Sequence, residues 1–193
     1  MANQSNTGHE LNDQEKKELL KIARQSIISA VSAHPPVSHK STFPIFTEKR
    51  GAFVTIHKND QLRGCIGFLQ PVKSLLETII EMAKAAATGD PRFTPVQTDE
   101  IQDIEIEISV LSPLREITDI DHIIIGTHGL YIEKDYNKGL LLPQVATEYN
   151  WDTKSFLEHT CRKAGLAMDA WKEKDARLYI FSADVFNEKD MGL

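Results

Sequence analysis

Between Asp103 and Val110 apolar and polar residues alternate without a break: Ile104, Ile106, Ile108 and Val110 against Asp103, Glu105, Glu107 and Ser109. Period two is the pattern of a strand with one buried and one wet face, which antiparallel sheets accept and parallel sheets covered on both sides do not. The carboxylates are the wet face of that strand. With no His or Cys beside them they do not make a metal site.

The rest of the chain supplies more strands and the helices to cover them. Asn12 or Asp13 caps a helix, Asn12 with Glu15 fitting a capping box, and its Leu19, Leu20, Ile22, Ala23, Ile27, Ile28 and Val31 recur at helical spacing to about Ala33. Pro35-Pro36 stops it, and an irregular segment runs through Pro44. Pro71 starts a second helix, Val72 to Thr88, with Leu75, Leu76, Ile79, Ile80, Ala83, Ala86 and Ala87 as its buried stripe and Gly89 as its end. Asp152 caps a third, Thr153 to Ala164, which buries Phe156, Leu157 and Cys161, leaves His159 at the surface and closes at Gly165. Ala52 to Lys58 and Leu62 to Leu69 read as a hairpin turning at Asn59-Asp60-Gln61, and Gly129 to Lys134 with Lys138 to Leu142 as another turning at Asp135 to Asn137. Ile117 to Ile125 is a connecting segment. Pro143 to Ala146 turns the chain toward Trp151, and Leu178 to Phe181 with Val185-Phe186 makes a last strand. These pieces predict an α+β fold, a mostly antiparallel sheet with packed helices. Residues 1–11 are polar, without apolar periodicity, and are expected to be a disordered tail. Residues 12–193 form one domain.

The longest apolar runs, such as Ile123-Ile124-Ile125, are too short to span a bilayer, and the N-terminus is not a signal peptide, so a cytoplasmic protein is expected. Cys65 and Cys161 show no zinc spacing, and in that compartment two free thiols are expected. A net charge of −6 opposes nucleic-acid binding, but the charge is uneven. From Lys40 to Lys73 six basic residues (Lys40, Lys49, Arg50, Lys58, Arg63, Lys73) face Glu48 and Asp60. From Asp99 to Asp121 eight acidic residues face Arg115 alone. A basic region on an acidic protein suits a small anionic ligand or an acidic partner surface.

Chemistry concentrates in Leu62-Arg63-Gly64-Cys65-Ile66-Gly67, where a thiol and a cation sit between glycines inside an apolar run. Glycine within a strand marks a bulge, a bend or the close approach of a ligand or a second backbone. Arg63 beside Cys65 would favour the thiolate, whereas a small buried hydrophobe is the plain alternative for such a cysteine. Hairpin register matters here. A two-residue loop pairs His57 with Leu62; a three-residue loop pairs His57 with Arg63 and Thr55 with Cys65, bringing the imidazole toward the thiol. Asp90-Pro91-Arg92-Phe93 is a stiff, proline-bracketed loop, either facing a ligand or forming a capped turn in which Asp90 and Arg92 satisfy the backbone and each other.

The chain resembles the AMMECR-one domain family, also called protein A of the AmmeMemoRadiSam system. The resemblance spans nearly everything from Leu11 onward. It rests on Leu62 to Gly67, on Asp90 to Phe93, and on Gly139-Leu140-Leu141-Leu142-Pro143-Gln144-Val145-Ala146 followed by Trp151 and Phe156-Leu157. It implies a larger and a smaller lobe with a cleft between them, lined by the signature strand. It also implies a pathway shared with a Memo-like protein and a radical SAM enzyme. Arg63, Gly64, Gly67, Asp90, Arg92 and Gln144 are then the expected ligand-binding residues, suited to an anionic or amide-bearing group.

Three readings follow. One is a ligand- or peptide-binding accessory component of that pathway, in which Cys65 contributes shape. Another is a thiol-dependent enzyme with Cys65 as nucleophile, N–H groups near Gly64 and Gly67 as oxyanion donors, and Asp90 or His57 moving protons. The third, a nucleic-acid-linked regulator, meets the opposing net charge and finds no helix with a basic recognition face. No phosphate loop, metal cluster or cofactor motif is present, so no cofactor is expected.

Overall fold

Asn12 accepts hydrogen bonds from the backbone N–H groups of Gln14 and Glu15, and the Glu15 carboxylate accepts one from the Asn12 N–H, so the capping box opens α1 (Asp13–Val31). The computed structural model describes residues 11–32 and 43–193. The expected end of this helix at the proline pair, most of the tail and the irregular stretch up to Thr42 lie outside the described residues. Leu11, assigned to the tail by its polar neighbours, is instead buried in the core.

Two units divide the chain. One comprises the described residues of Met1–Leu111 together with Asp184–Leu193; the other is Ser112–Ala183. In the first, β1 (Ala52–Lys58) and β2 (Gln61–Phe68) form the expected hairpin, and β3 (Ile104–Leu111) is the alternating strand. With β8 (Ala183–Asn187) they make an antiparallel sheet in the order β2-β1-β3-β8, which leaves β2 at one end. α2 (Leu75–Thr88) starts three residues later than predicted, because Ser74 rather than Pro71 caps it, paired with Glu77 in a second capping box. α1 and α2 pack on each other and α2 on β1 and β2. Val54, Ile56, Ile106 and Ile108 join Leu19, Leu20, Ile27, Leu75 and Ile79 in one apolar core.

The second unit holds β4 (Arg115–Ile117), β5 (Gly129–Lys134), β6 (Asn137–Leu141) and β7 (Arg177–Phe181) in the order β4-β7-β5-β6. Its core gathers Leu130, Ile132, Phe156, Leu157, Cys161 and Ile180 under α4 (Thr153–Lys163). Three expectations change here. Pro143 opens a short helix, α3 (Pro143–Glu148), as proline does at a first helical position, rather than merely turning the chain. A short edge strand, β4, which the sequence reading did not foresee, leads into the connecting segment and ends at its first residue, Ile117. The single last strand is two, β7 and β8, which Ser182 separates and which belong to different sheets. α5 (Glu188–Met191) ends the chain, its Glu188 held by the Arg24 guanidinium and the Ile106 N–H. Among the described residues no helix is long and apolar enough to cross a membrane.

Candidate functional site

Asn59 and Asp60 both have positive φ, the geometry of the tight two-residue turn that suits twisted hairpins. That turn pairs His57 with Leu62, yet Thr55 still lies opposite Cys65, because the register shifts between Ile56 and His57 and leaves Arg63 as the extra residue of a bulge. The hairpin thus takes the His57–Leu62 pair of one alternative and the Thr55–Cys65 pair of the other, and the pairing of His57 with Arg63 does not form. His57 faces Leu62 on one side and Glu105 on the other, while the thiol's hydrogen-bond partner is Thr55, whose Oγ1 donates to Sγ at 3.2 Å.

The bulge re-aims Arg63. Its Nε and Nη2 grip the Glu100 carboxylate at 3.1 and 2.9 Å, and its remaining donors reach the carbonyls of Thr94 (2.7 Å) and Pro95 (3.3 Å). Lys58 adds a bond to Glu100 at 3.0 Å. The Arg63 hydrogen bonds, with help from the Gln97 N–H and Lys58, push the Glu100 carboxyl down to about 2. Arg63 therefore anchors the segment after α2, and its charge is answered there. Two other basic residues of this region behave alike: Arg50 pairs with Glu48 and Lys73 with Glu81.

Asp90 takes the position beside the thiol. The residue is only 4% exposed, and its carboxylate accepts four hydrogen bonds: from the Cys65 N–H (2.8 Å), the Arg92 N–H (3.1 Å), Arg92 Nε (2.9 Å) and Arg92 Nη2 (2.7 Å). Nη2 also donates to the Cys65 carbonyl at 3.3 Å. The Asp90–Arg92 pair thus meets both outward backbone groups of Cys65, as a neighbouring strand would. This is the capped-turn alternative for the loop, and it also protects part of a sheet edge. The Arg92 hydrogen bonds hold the Asp90 carboxyl far below the usual carboxylate range, against the opposing effect of burial.

The glycines are explained by packing. A Cβ on Gly64 would stand 2.2 Å from the Ala86 carbonyl oxygen, so β2 lies directly on the end of α2. A Cβ on Gly67 would meet the Phe53 ring at 2.2 Å. The close approach foreseen at both positions is made by the protein itself.

Burial pushes the Cys65 thiol up, partly offset by the Thr55 hydroxyl and the Arg92 charge and reinforced by Asp90 and Glu107. Glu107, assigned only to the wet face of β3, stands opposite Thr55, so Cys65, Thr55 and Glu107 form one row across three strands. The alternation placed Glu107 on the correct face; strand order, invisible in the sequence, placed it in the row. Cys161 is a fully buried core thiol, and both cysteines are free. Gln144 belongs to the other unit, half-buried on the first turn of α3, its carbonyl accepting from Thr147. His159 is more than a surface residue: it stacks on Trp151 at 3.9 Å between ring centroids, and Tyr149 covers the same indole at 5.0 Å.

Comparison with known proteins places this geometry. A profile of the AMMECR1 family matches residues 20–186. The chain belongs to the AMMECR1 family. A protein of Methanothermobacter thermautotrophicus is 43% identical over 185 residues, covering 92% of this chain and 96% of that protein. Protein MK0488 of Methanopyrus kandleri is 41% identical over 192 residues, with 95% and 93% covered. The crystal structure of uncharacterised protein PH0010 from Pyrococcus horikoshii superposes with a TM-score of 0.86 at 38% identity, covering 93% of this chain and 94% of that one. The family resemblance read from Leu62 to Gly67 and its two companion motifs is thereby established.

Proposed function

We propose that this AMMECR1-family protein is a binding component that recognises a partner segment or a small anionic ligand at the corner formed by Cys65, Asp90 and Arg92. The pathway of a Memo-like protein and a radical SAM enzyme, implied by the family, supplies the partner class. One observation carries the reading: the groups that would activate the thiol are engaged in holding the fold. Arg63 is bound to Glu100, and Asp90 to Arg92 and the Cys65 amide. Burial meanwhile keeps the thiol protonated. What stays available is Arg92, whose side chain is 54% exposed although two of its nitrogens are fixed on Asp90. A guanidinium oriented by a buried carboxylate is a preorganised receptor for an anionic group.

A second reading keeps Cys65 as the nucleophile of a thiol-dependent enzyme, and it draws on the Thr55 hydroxyl and the Arg92 charge, both of which favour the thiolate. Capture of a Memo-like protein separates the two. The binding reading expects Cys65→Ala to retain capture and Arg92→Gln to weaken it by about tenfold or more. Loss of the biological role in Cys65→Ser, with capture intact, would transfer the claim to the enzyme reading.

A further inference from the structure

β2 ends its sheet, so every second residue along it turns its N–H and C=O away from β1. Cys65 is one of these, since its N–H goes to Asp90 and its carbonyl to Arg92. The register is regular from Gly64 to Phe68, so Gly67, two residues on, turns its own pair to the same side. Those two groups have no hydrogen-bond partner among the described residues. The edge is closed at Cys65 and open at Gly67. Gly67 adds no side chain of its own, and the next residue, Phe68, is 38% exposed. At the closed end stands the half-exposed Arg92, whose Nη1 has no hydrogen-bond partner among the described residues.

We infer that this edge receives the C-terminal end of an extended peptide by strand addition, with the terminal carboxylate on Arg92. The inference deepens the binding function proposed above and rests on it. A strand laid antiparallel on β2 exchanges two backbone hydrogen bonds with Gly67 and then meets the Asp90–Arg92 plug. Gly67 and Cys65 are about 7 Å apart along the strand, so the peptide has one or two residues left before it must stop. A chain terminus fits that limit, and its negative charge complements Arg92. Phe68 favours an apolar side chain near the end of the peptide. Gly67 supplies the ladder and Arg92 the requirement for a terminus.

The test uses the intact protein and two bead libraries of random hexapeptides, one with free carboxyl termini and one ending in carboxamide. Binding should come from the free-carboxylate library alone, and Arg92→Gln should weaken it by about tenfold or more. A selected hexapeptide should slow Gly67 amide exchange by about tenfold or more, while the Cys65 amide, already bonded to Asp90, changes little. The exchange measurement needs no substitution at Gly67, where any side chain would strike Phe53. Equal binding of carboxamide peptides, unchanged Gly67 exchange in a peptide complex, or no binder from either library overturns the inference. If the Memo-like partner is still captured in those cases, the broader binding reading stands; if that capture is absent too, both fall.

Discussion

Asp90 is the residue whose loss should be felt most widely at the site. Replacing it with alanine removes a carboxylate that accepts four hydrogen bonds, two of them from the Arg92 guanidinium. The Cys65 N–H and the half-exposed Arg92 would both lose this partner, and leaving the part-buried donor unsatisfied beside a charged group costs about 1–3 kcal/mol or more. Asp90→Asn keeps the shape and one good acceptor while losing the charge, so about 1–3 kcal/mol is expected. Urea unfolding with a constant slope measures both. Amide exchange adds a local readout, because the Cys65 N–H should become markedly less protected in the alanine variant. A cost below about 1 kcal/mol for Asp90→Ala, with Cys65 protection unchanged, would refute the claim that this carboxylate holds the strand edge.

Two further outcomes follow from neighbouring contacts. Gly64→Ala sets a methyl 2.2 Å from a backbone carbonyl that no side-chain rotation can relieve, so a loss of about 2–3 kcal/mol or more is expected; thermal unfolding checks it, and a wild-type midpoint would mean that β2 and α2 are not in that contact. Glu100 has its carboxyl lowered from 4.5 to about 2, so its share of stability is complete above its unfolded value and is lost as pH falls through the folded one. Glu100→Gln should therefore flatten the fall in stability between about pH 4.5 and about pH 2, measured by urea titrations across that range; an unchanged acid limb would contradict the Arg63–Glu100 account.

The residues made some of this legible and hid the rest for identifiable reasons. Asn12 with Glu15 and Asp152 act through neighbours three residues away, so those helix starts could be read locally. The Ile104 to Val110 alternation fixed a strand because burial has the same period as the pleat. Ser74 rather than Pro71 starts α2, and its pairing with Glu77 is equally local, but the proline is the louder signal for a helix start. The bulge at Arg63 could not be read: it lies in the pairing of β1 with β2, and from it Arg63 reaches Glu100 rather than the thiol. Three-dimensional neighbours settled the roles of Gly64 and Gly67 too, since glycine in a strand signals close approach without naming what approaches. The split of the last strand at Ser182 hinges on sheet membership, which neighbouring residues do not encode.

Under the proposed function Cys65 lines a binding corner and is not an activated nucleophile. Alkylation of the intact protein across pH, followed at Cys65 by peptide mapping so that Cys161 is scored separately, tests it most directly. A protonated thiol predicts slow reaction at neutral pH and a midpoint above the ordinary value of about 8.5. Rapid alkylation with a midpoint well below that value would contradict the account and make Cys65 a thiolate in search of its electrophile.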